Sequence, residues 1–221
     1  MNIYSVEKPM PYYDQLYNSI KQMIIEGVFQ PGERIYEAQL AREFNVSRSP
    51  VREAVRALEK EGLLIIDEKS RITVYKPTMK DVEDIYQCRM VLESLAAKLT
   101  TTLATNQELS EIESTLSETR KLLEQGEEPN KETIISLNSR FHDLIVQYSR
   151  NSRLQKQLQD LRSLTYYYML INIQGENRKW DIFNEHQVIF DCMKQRDAEK
   201  AGSVMANHIS NDLNHLKELL K

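Results

Sequence analysis

The stretch that most constrains how this chain folds runs from Asn45 to Gly62 and reads NVSRSPVREAVRALEKEG. Val51, Ala54, Val55 and Leu58 fall at helical spacing and make an inward stripe, while Arg48, Arg52 and Arg56 recur every four residues on the opposite side. Ser47 or Ser49 can cap the helix start, Pro50 sits in the first turn where a missing N–H costs least, and Gly62 stops the helix. A short helix with hydroxyls and an arginine at its start suits a DNA major groove. There Ser47, Ser49 and the first N–H groups meet phosphate, Arg48 or Arg52 reaches the O6 and N7 of a guanine, and Arg56 extends the cationic edge. Glu53, Glu59 and Glu61 are interleaved with the arginines, as in an ordinary solvated amphipathic helix, so the flanking chain must decide.

Upstream, Tyr13, Leu16, Tyr17, Ile20, Met23 and Ile24 trace one face of a first helix, which the loop from Gly27 to Gly32 ends. Arg34 to Tyr36 is a short extended piece, and Glu37 to Phe44 makes a two-turn helix with Leu40, Ala41 and Phe44 inward. Asn45-Val46-Ser47 leaves room only for a tight turn, which makes a helix-turn-helix. After Gly62, Leu63 to Ile66 and Arg71 to Tyr75 are β-prone and joined by the polar turn Asp67-Glu68-Lys69-Ser70. The expected domain over residues 1–77 is a winged helix-turn-helix with a small β-hairpin whose Lys69 and Arg71 touch backbone phosphate.

Pro77 begins a second domain, residues 78–221, expected to be an antiparallel bundle of about six helices, so that the fold is mainly α. The stripes are Val82, Ile85, Leu92, Leu95 and Leu99; Leu109, Ile112, Leu116 and Leu123; then, after a turn from Gly126 to Asn130, Ile134, Leu137, Phe141, Ile145 and Tyr148. Leu154, Leu158, Leu161, Leu164 and Tyr168 mark a fourth, Ile182, Ile189 and Met193 a fifth, and Ala198, Ala201, Met205, Ile209 and Leu216 the last.

Charge supports a local DNA contact and excludes a general nucleic-acid coat. The net charge is −4, and through Pro77 the 11 basic residues balance 11 acidic ones, so the deficit lies wholly in the second domain. With 28% charged and 41% hydrophobic residues and no long apolar run, the chain reads as globular and not membrane-spanning. The N-terminus lacks a basic-then-apolar leader, and Cys88 and Cys192, both in helical patterns, read as free buried thiols. A cytoplasmic protein is expected.

Four histidines occur, at positions 142, 186, 208 and 215. The first three lie beside the apolar stripes of three different helices, and burying three imidazoles is unfavourable unless each finds a partner. A shared metal ion satisfies all three, with the side-chain oxygen of Asn138, one turn before His142, as a fourth contact. Separate hydrogen bonds in the core are the alternative. His215, one heptad past His208, reads as surface.

The run LAREFNVSRSPVREAVRALEKEGLL resembles the DNA-binding signature of GntR-type bacterial transcription regulators. Ala38 stands where some members carry a DNA-contacting arginine, and the hairpin tip lacks the glycine that many members place there. Arg89 to Glu93, Asn138 to His142, Glu185-His186 and His208 resemble the C-terminal ligand-binding domain named after the fatty-acid regulator FadR, and six helices fit the subgroup named for the vanillate regulator VanR. That resemblance implies a divalent metal ion held by Asn138, His142, His186 and His208: zinc first, with nickel or manganese as alternatives. The family usually has aspartate where this chain has Asn138. A neutral amide is a weaker ligand for a hard cation, which implies weaker metal binding and greater dependence on an anionic effector. Arg89 can clamp such a carboxylate, its alternative being a surface pair with Glu93, and one tyrosine of the run Tyr166 to Tyr168, with Tyr167 as the candidate, reaches the ligand.

The function expected from all this is a homodimeric transcription regulator, not an enzyme, that binds a pseudo-palindromic double-stranded operator under control of a small carboxylate. Two other readings are a constitutive DNA-binding dimer with a vestigial pocket and a metallohydrolase. The latter lacks a general base, because Glu185 is expected to point away from a site reached by His186.

Overall fold

The structure is a computed structural model that describes residues 12–125, 130–175 and 177–220. The chain divides into two compact units, residues 1–77 and 78–221. Among the described residues the first holds α1 (Tyr12–Ile25), β1 (Arg34–Ile35), α2 (Glu37–Glu43), α3 (Arg48–Lys60), β2 (Leu64–Ile66) and β3 (Ile72–Val74). The second holds α4 (Met79–Leu103), α5 (Asn106–Glu124), α6 (Lys131–Tyr148), α7 (Ser152–Asn172), α8 (Arg178–Lys194) and α9 (Ala198–Leu219). Most of the turn expected from Gly126 to Asn130 lies outside the described residues.

In the first unit, Val51, Ala54, Val55 and Leu58 of α3 are wholly buried against Leu16, Ile20 and Ile24 of α1 and Leu40 and Ala41 of α2. Both helices of the helix-turn-helix end in the same device. Asn45 takes a φ of +51° as its N–H bonds Arg42 O and Val46 N–H bonds Ala41 O. Gly62, with a φ of +77°, does the same for α3, its N–H bonding Glu59 O while Leu63 N–H bonds Leu58 O. Each pair of bonds satisfies carbonyls that the helix leaves orphaned, and asparagine and glycine suit the left-handed position at least cost. The tight turn before Arg48 is therefore written in Asn45. At the other end of α3, Lys21 of α1 pairs with Glu61 at 2.9 Å, and the Tyr17 hydroxyl also donates to Glu61.

The expected hairpin is present and gains a third strand. β1 and β2 both pair antiparallel with β3, in the order β1-β3-β2, with Ile35 and Ile66 both opposite Ile72. At its tip Asp67 Oδ1 accepts from the backbone N–H of Lys69 and of Arg71, each at 2.9 Å. Ser70 occupies the left-handed region at φ +57°, doing without glycine the work glycine does in other tips.

The helical unit starts cleanly. Thr78 with Asp81, and Thr105 with Glu108, form reciprocal capping boxes for α4 and α5, while Asn151 and Asp197 cap α7 and α9. α4 packs most extensively on α9, α5 lies against α6 and α8, and α6 also meets α4 and α7. The core runs through Val82, Tyr86, Ile112, Phe141, Ile145, Phe190, Met205 and Ile209.

α4 departs from the expected stripe. Leu95 is exposed, while Tyr86, Arg89, Glu93, Ala96, Ala97 and Thr100 face inward. Counting apolar residues misplaced this helix because two charged side chains occupy its buried face and satisfy one another. Cys88, expected to be buried, is exposed, and Cys192 is buried; both thiols are free.

Candidate metal centre and nucleic-acid interface

Three helices each deliver one histidine to the interior of the helical unit: His142 from α6, His186 from α8 and His208 from α9, none more than 6% exposed. Their Nε2 atoms face one another. His208 Nε2 lies 3.1 Å from His186 Nε2 and 3.4 Å from His142 Nε2. The far sides of two rings meet carboxylates: His208 Nδ1 is 2.6 Å from Glu185 Oε2, and His142 Nδ1 is 2.6 Å from Glu93 Oε2. The second contact is one of charge, without the alignment of a hydrogen bond. With a carboxylate behind each ring, the Nε2 atoms of His142 and His208 face each other at the centre of the cluster. Phe141 stacks on His186 with centroids 4.1 Å apart and fixes that ring's plane. Burial, and after it the charges His208 and His142 would carry, push His186 well below its ordinary value and keep it neutral.

The charged groups around the cluster pair with one another. Arg89 Nε donates to Glu93 Oε1 at 2.7 Å. Burial opposes charge on Glu93, but Arg89 and then His142 outweigh it and hold the carboxyl far below the usual range. Asp212, one turn beyond His208 on α9, accepts through Oδ1 from Asn172 Nδ2 and from Arg178 Nη2, both at 2.5 Å, and its Oδ2 lies 3.8 Å from His208 Nε2. Burial works against its ionised form, and His208 and Arg178 more than offset that.

A cavity of about 400 Å³ borders this cluster. Arg89, Glu93 and His142 form part of its wall, and Ser139, Asp143 and Gln159 add further polar groups. Arg89 is buried, yet among the described residues its Nη1 has no hydrogen-bond partner.

Of the residues expected at this site, the three histidines and Arg89 come together. Arg89 pairs with Glu93 inside the core and not on the surface. Asn138 is half-buried, and its amide nitrogen donates to Met169 Sδ on α7 at 3.3 Å. The side chain of Tyr167 lies outside the described residues; its neighbour Tyr168 is fully buried against Tyr86. Glu185, expected to point away, supports His208 from behind and also accepts from Asn211. The spacing rule fails there because the partner is on another helix. His215 is half-buried and meets the Gln174 carbonyl at 2.8 Å. Asp212 and Arg178 were not anticipated. The first stood in plain view four residues after His208, whereas nothing local marks the second.

In the first unit Ser47, Arg48, Ser49, Arg52 and Arg56 are all exposed on α3, and Ser47 is the N-cap without spending its hydroxyl on the cap. The arginines are loosely tethered: Arg52 to Glu37 at 3.5 Å, Arg56 to Glu59 at 2.9 Å, and Arg71 in the hairpin to Asp67 at 2.5 Å. Exposed pairs of this kind are worth about 0–1 kcal/mol, so phosphate or a guanine edge displaces them at little cost. Lys69 is exposed at the tip.

The profile described as bacterial regulatory proteins, gntR family, matches residues 12–74, and the FCD domain profile matches residues 84–211, more than half of the chain. The chain belongs to the gntR family. It is a DNA-binding transcription regulator with an FCD domain. Over its full length it is 42% identical to the HTH-type transcriptional regulator YdhC of Bacillus subtilis, covering 98% of that protein. It is 27% identical to the Nta operon transcriptional regulator of Aminobacter aminovorans, over 90% of this chain and 91% of the other. Among solved structures, Escherichia coli McbR/YncC shares the fold with a TM-score of 0.77 at 22% identity, over 96% of this chain and all of that one.

Proposed function

We propose that this gntR-family regulator binds a pseudo-palindromic operator as a homodimer, and that a small carboxylate, taken up beside a divalent metal ion in the FCD domain, governs that binding. The convergence of three Nε2 atoms carries the reading. Two imidazole nitrogens about 2.0–2.1 Å from one ion lie roughly 2.9 Å apart at a right angle and roughly 3.4 Å apart at the tetrahedral angle. The observed 3.1 and 3.4 Å fall within that range. Glu93 behind His142 and Glu185 behind His208 set carboxylates at the Nδ1 sides of two rings, the arrangement that supports histidine ligands. Such a nitrogen-rich set suits zinc or nickel better than manganese, which prefers oxygen ligands.

When bound, the ion supplies an electrophilic centre at which a carboxylate oxygen completes the coordination. Arg89 orients that carboxylate. Its Nη1 is buried and has no partner among the described residues, it lines the cavity, and its other side is anchored by Glu93, so a bound anion gains a donor that is already desolvated. Cys88, Val91 and Leu95 recur at helical spacing on α4 and are exposed, Val91 at 71%, which favours this face as the dimer contact. Two heads then engage both halves of a palindrome through α3, with Lys69 and Arg71 on phosphate. None of the described helices is long and apolar enough to cross a membrane, in keeping with action on DNA in the cytoplasm.

The test is operator binding by fluorescence anisotropy with metal-free protein, metal-loaded protein, and metal-loaded protein plus a panel of small carboxylates. A tenfold or larger change in operator affinity with one carboxylate, abolished by a chelator, is expected. Affinity indifferent to every carboxylate and to chelation leaves a constitutive DNA-binding dimer instead.

A further inference from the structure

We infer that Tyr86 is a positioning residue for carboxylate capture: its aromatic ring, and not its hydroxyl, holds the guanidinium of Arg89 in the orientation that leaves Nη1 for the anion. The inference rests on the reading of Arg89 as the effector's clamp. Tyr86 precedes Arg89 by three residues on α4, and both belong to the buried face of that helix. Arg89 Cζ stands 4.7 Å from the centroid of the Tyr86 ring, close enough for the cation to be attracted to the aromatic face. An arginine reaches out on a long flexible chain, and the bond from Nε to Glu93 Oε1 fixes one edge of its guanidinium while leaving the plane free to turn about that edge. An aromatic face against the guanidinium removes that freedom. Glu93 and Tyr86 therefore restrain different motions of the same side chain.

The ring is itself locked. Tyr86 is fully buried, and Tyr168 of α7 lies against it with centroids 6.1 Å apart and planes at 58°. α7 also sends Thr165 and Met169 to the cavity wall, so the helix that shapes the cavity braces the residue that orients Arg89. The hydroxyl acts differently. It is buried and has no hydrogen-bond partner among the described residues. Burial pushes it well above the ordinary tyrosine value, with Arg89 opposing the rise, so it stays protonated and neutral. A buried hydroxyl without a partner costs stability. Ring and hydroxyl thus work in opposite directions: the first assists binding, the second weakens the ligand-free fold, and phenylalanine keeps only the first.

The experiment titrates full-length protein first with cobalt(II) and then, once loaded, with acetate as the probe carboxylate, following the visible d–d bands that report both events. Tyr86→Phe is expected to bind cobalt and acetate within about threefold of the parent, and its metal-free form to melt at the same temperature or higher. Tyr86→Leu is expected to bind cobalt within about threefold of the parent but acetate about tenfold more weakly. Should Tyr86→Leu not fold, Tyr86→Met takes its place with the same expectation. Acetate binding unchanged in the variant without a ring overturns the inference, as does an equal loss in Tyr86→Phe, which assigns the role to the hydroxyl. Cobalt and acetate affinities that fall together in the ringless variant also overturn it, because they mark loss of the whole site. Parent protein that develops no d–d bands, or whose bands ignore acetate, overturns the metal-and-carboxylate reading itself, and the inference with it.

Discussion

Arg89 and Glu93 sit one turn apart on α4, joined at 2.7 Å with both side chains 5% exposed or less, so a full ion pair lies inside the helical core. Removing one partner leaves the other charged and stranded, a loss of about 3–5 kcal/mol in proteins of this kind. Glu93→Gln is therefore expected to lower the unfolding free energy by about 3 kcal/mol in urea titrations. Because Glu93 also backs His142, metal affinity in the same variant is expected to fall roughly 10- to 100-fold.

Arg89→Lys separates the clamp from the pair. A lysine keeps the positive charge beside Glu93 but loses the two-pronged donor geometry. Calorimetry is expected to show carboxylate binding weakened at least tenfold while metal affinity stays close to that of the parent. Equal carboxylate affinity in both proteins would falsify the role given to Arg89.

His186 makes the metal-free protein sensitive to acid. Its folded-state value is depressed by burial, so below the ordinary value of about 6.5 the unfolded chain binds a proton that the folded protein refuses. Its contribution to stability is complete above that value and is lost as pH falls. Between pH 7.5 and 5.5 the loss is about 1.4 kcal/mol. Urea unfolding of the parent and of His186→Gln at both pH values checks this: the gap between them narrows at the lower pH by about that amount.

On the DNA side, α3 and the hairpin tip are expected to fail differently. Arg52→Ala abolishes discrimination between operator and random DNA while the melting temperature holds. Lys69→Ala weakens binding to both and lowers the salt slope by about one, as the loss of one phosphate contact does. Anisotropy across a salt series separates the two, and unchanged operator affinity in the Arg52 variant rules out α3 as the reader.

Ser70 adopts a backbone conformation that a side chain resists by roughly 1 kcal/mol. Ser70→Gly relieves that resistance and is expected to raise stability by up to that amount, read as a higher urea midpoint with an unchanged slope. An unchanged or lower midpoint rules out strain at the tip.

The amino-acid sequence by itself determined everything that depends on neighbours along the chain. The α3 stripe, the tight turn at Asn45, the stop at Gly62 and the paired β-prone runs act within one or two turns. Their effects were legible because local sterics and helix periodicity leave few alternatives. The three histidines were also legible, since three imidazoles on three apolar faces must be accounted for.

Tertiary structure alone decided how that account is settled. Whether Arg89 and Glu93 lie in water or in the core depends on which face of α4 meets the rest of the bundle, and their mutual satisfaction lets two charges occupy positions that periodicity reserves for apolar residues. Asp212 acquires its place beside His208 Nε2 from donors at the ends of α7 and α8, distant in sequence, and Asn138 turns to Met169 for an equally non-local reason. A carboxylate's role is set by the charges and donors that packing brings within a few ångströms, and no spacing rule along one helix encodes that distance.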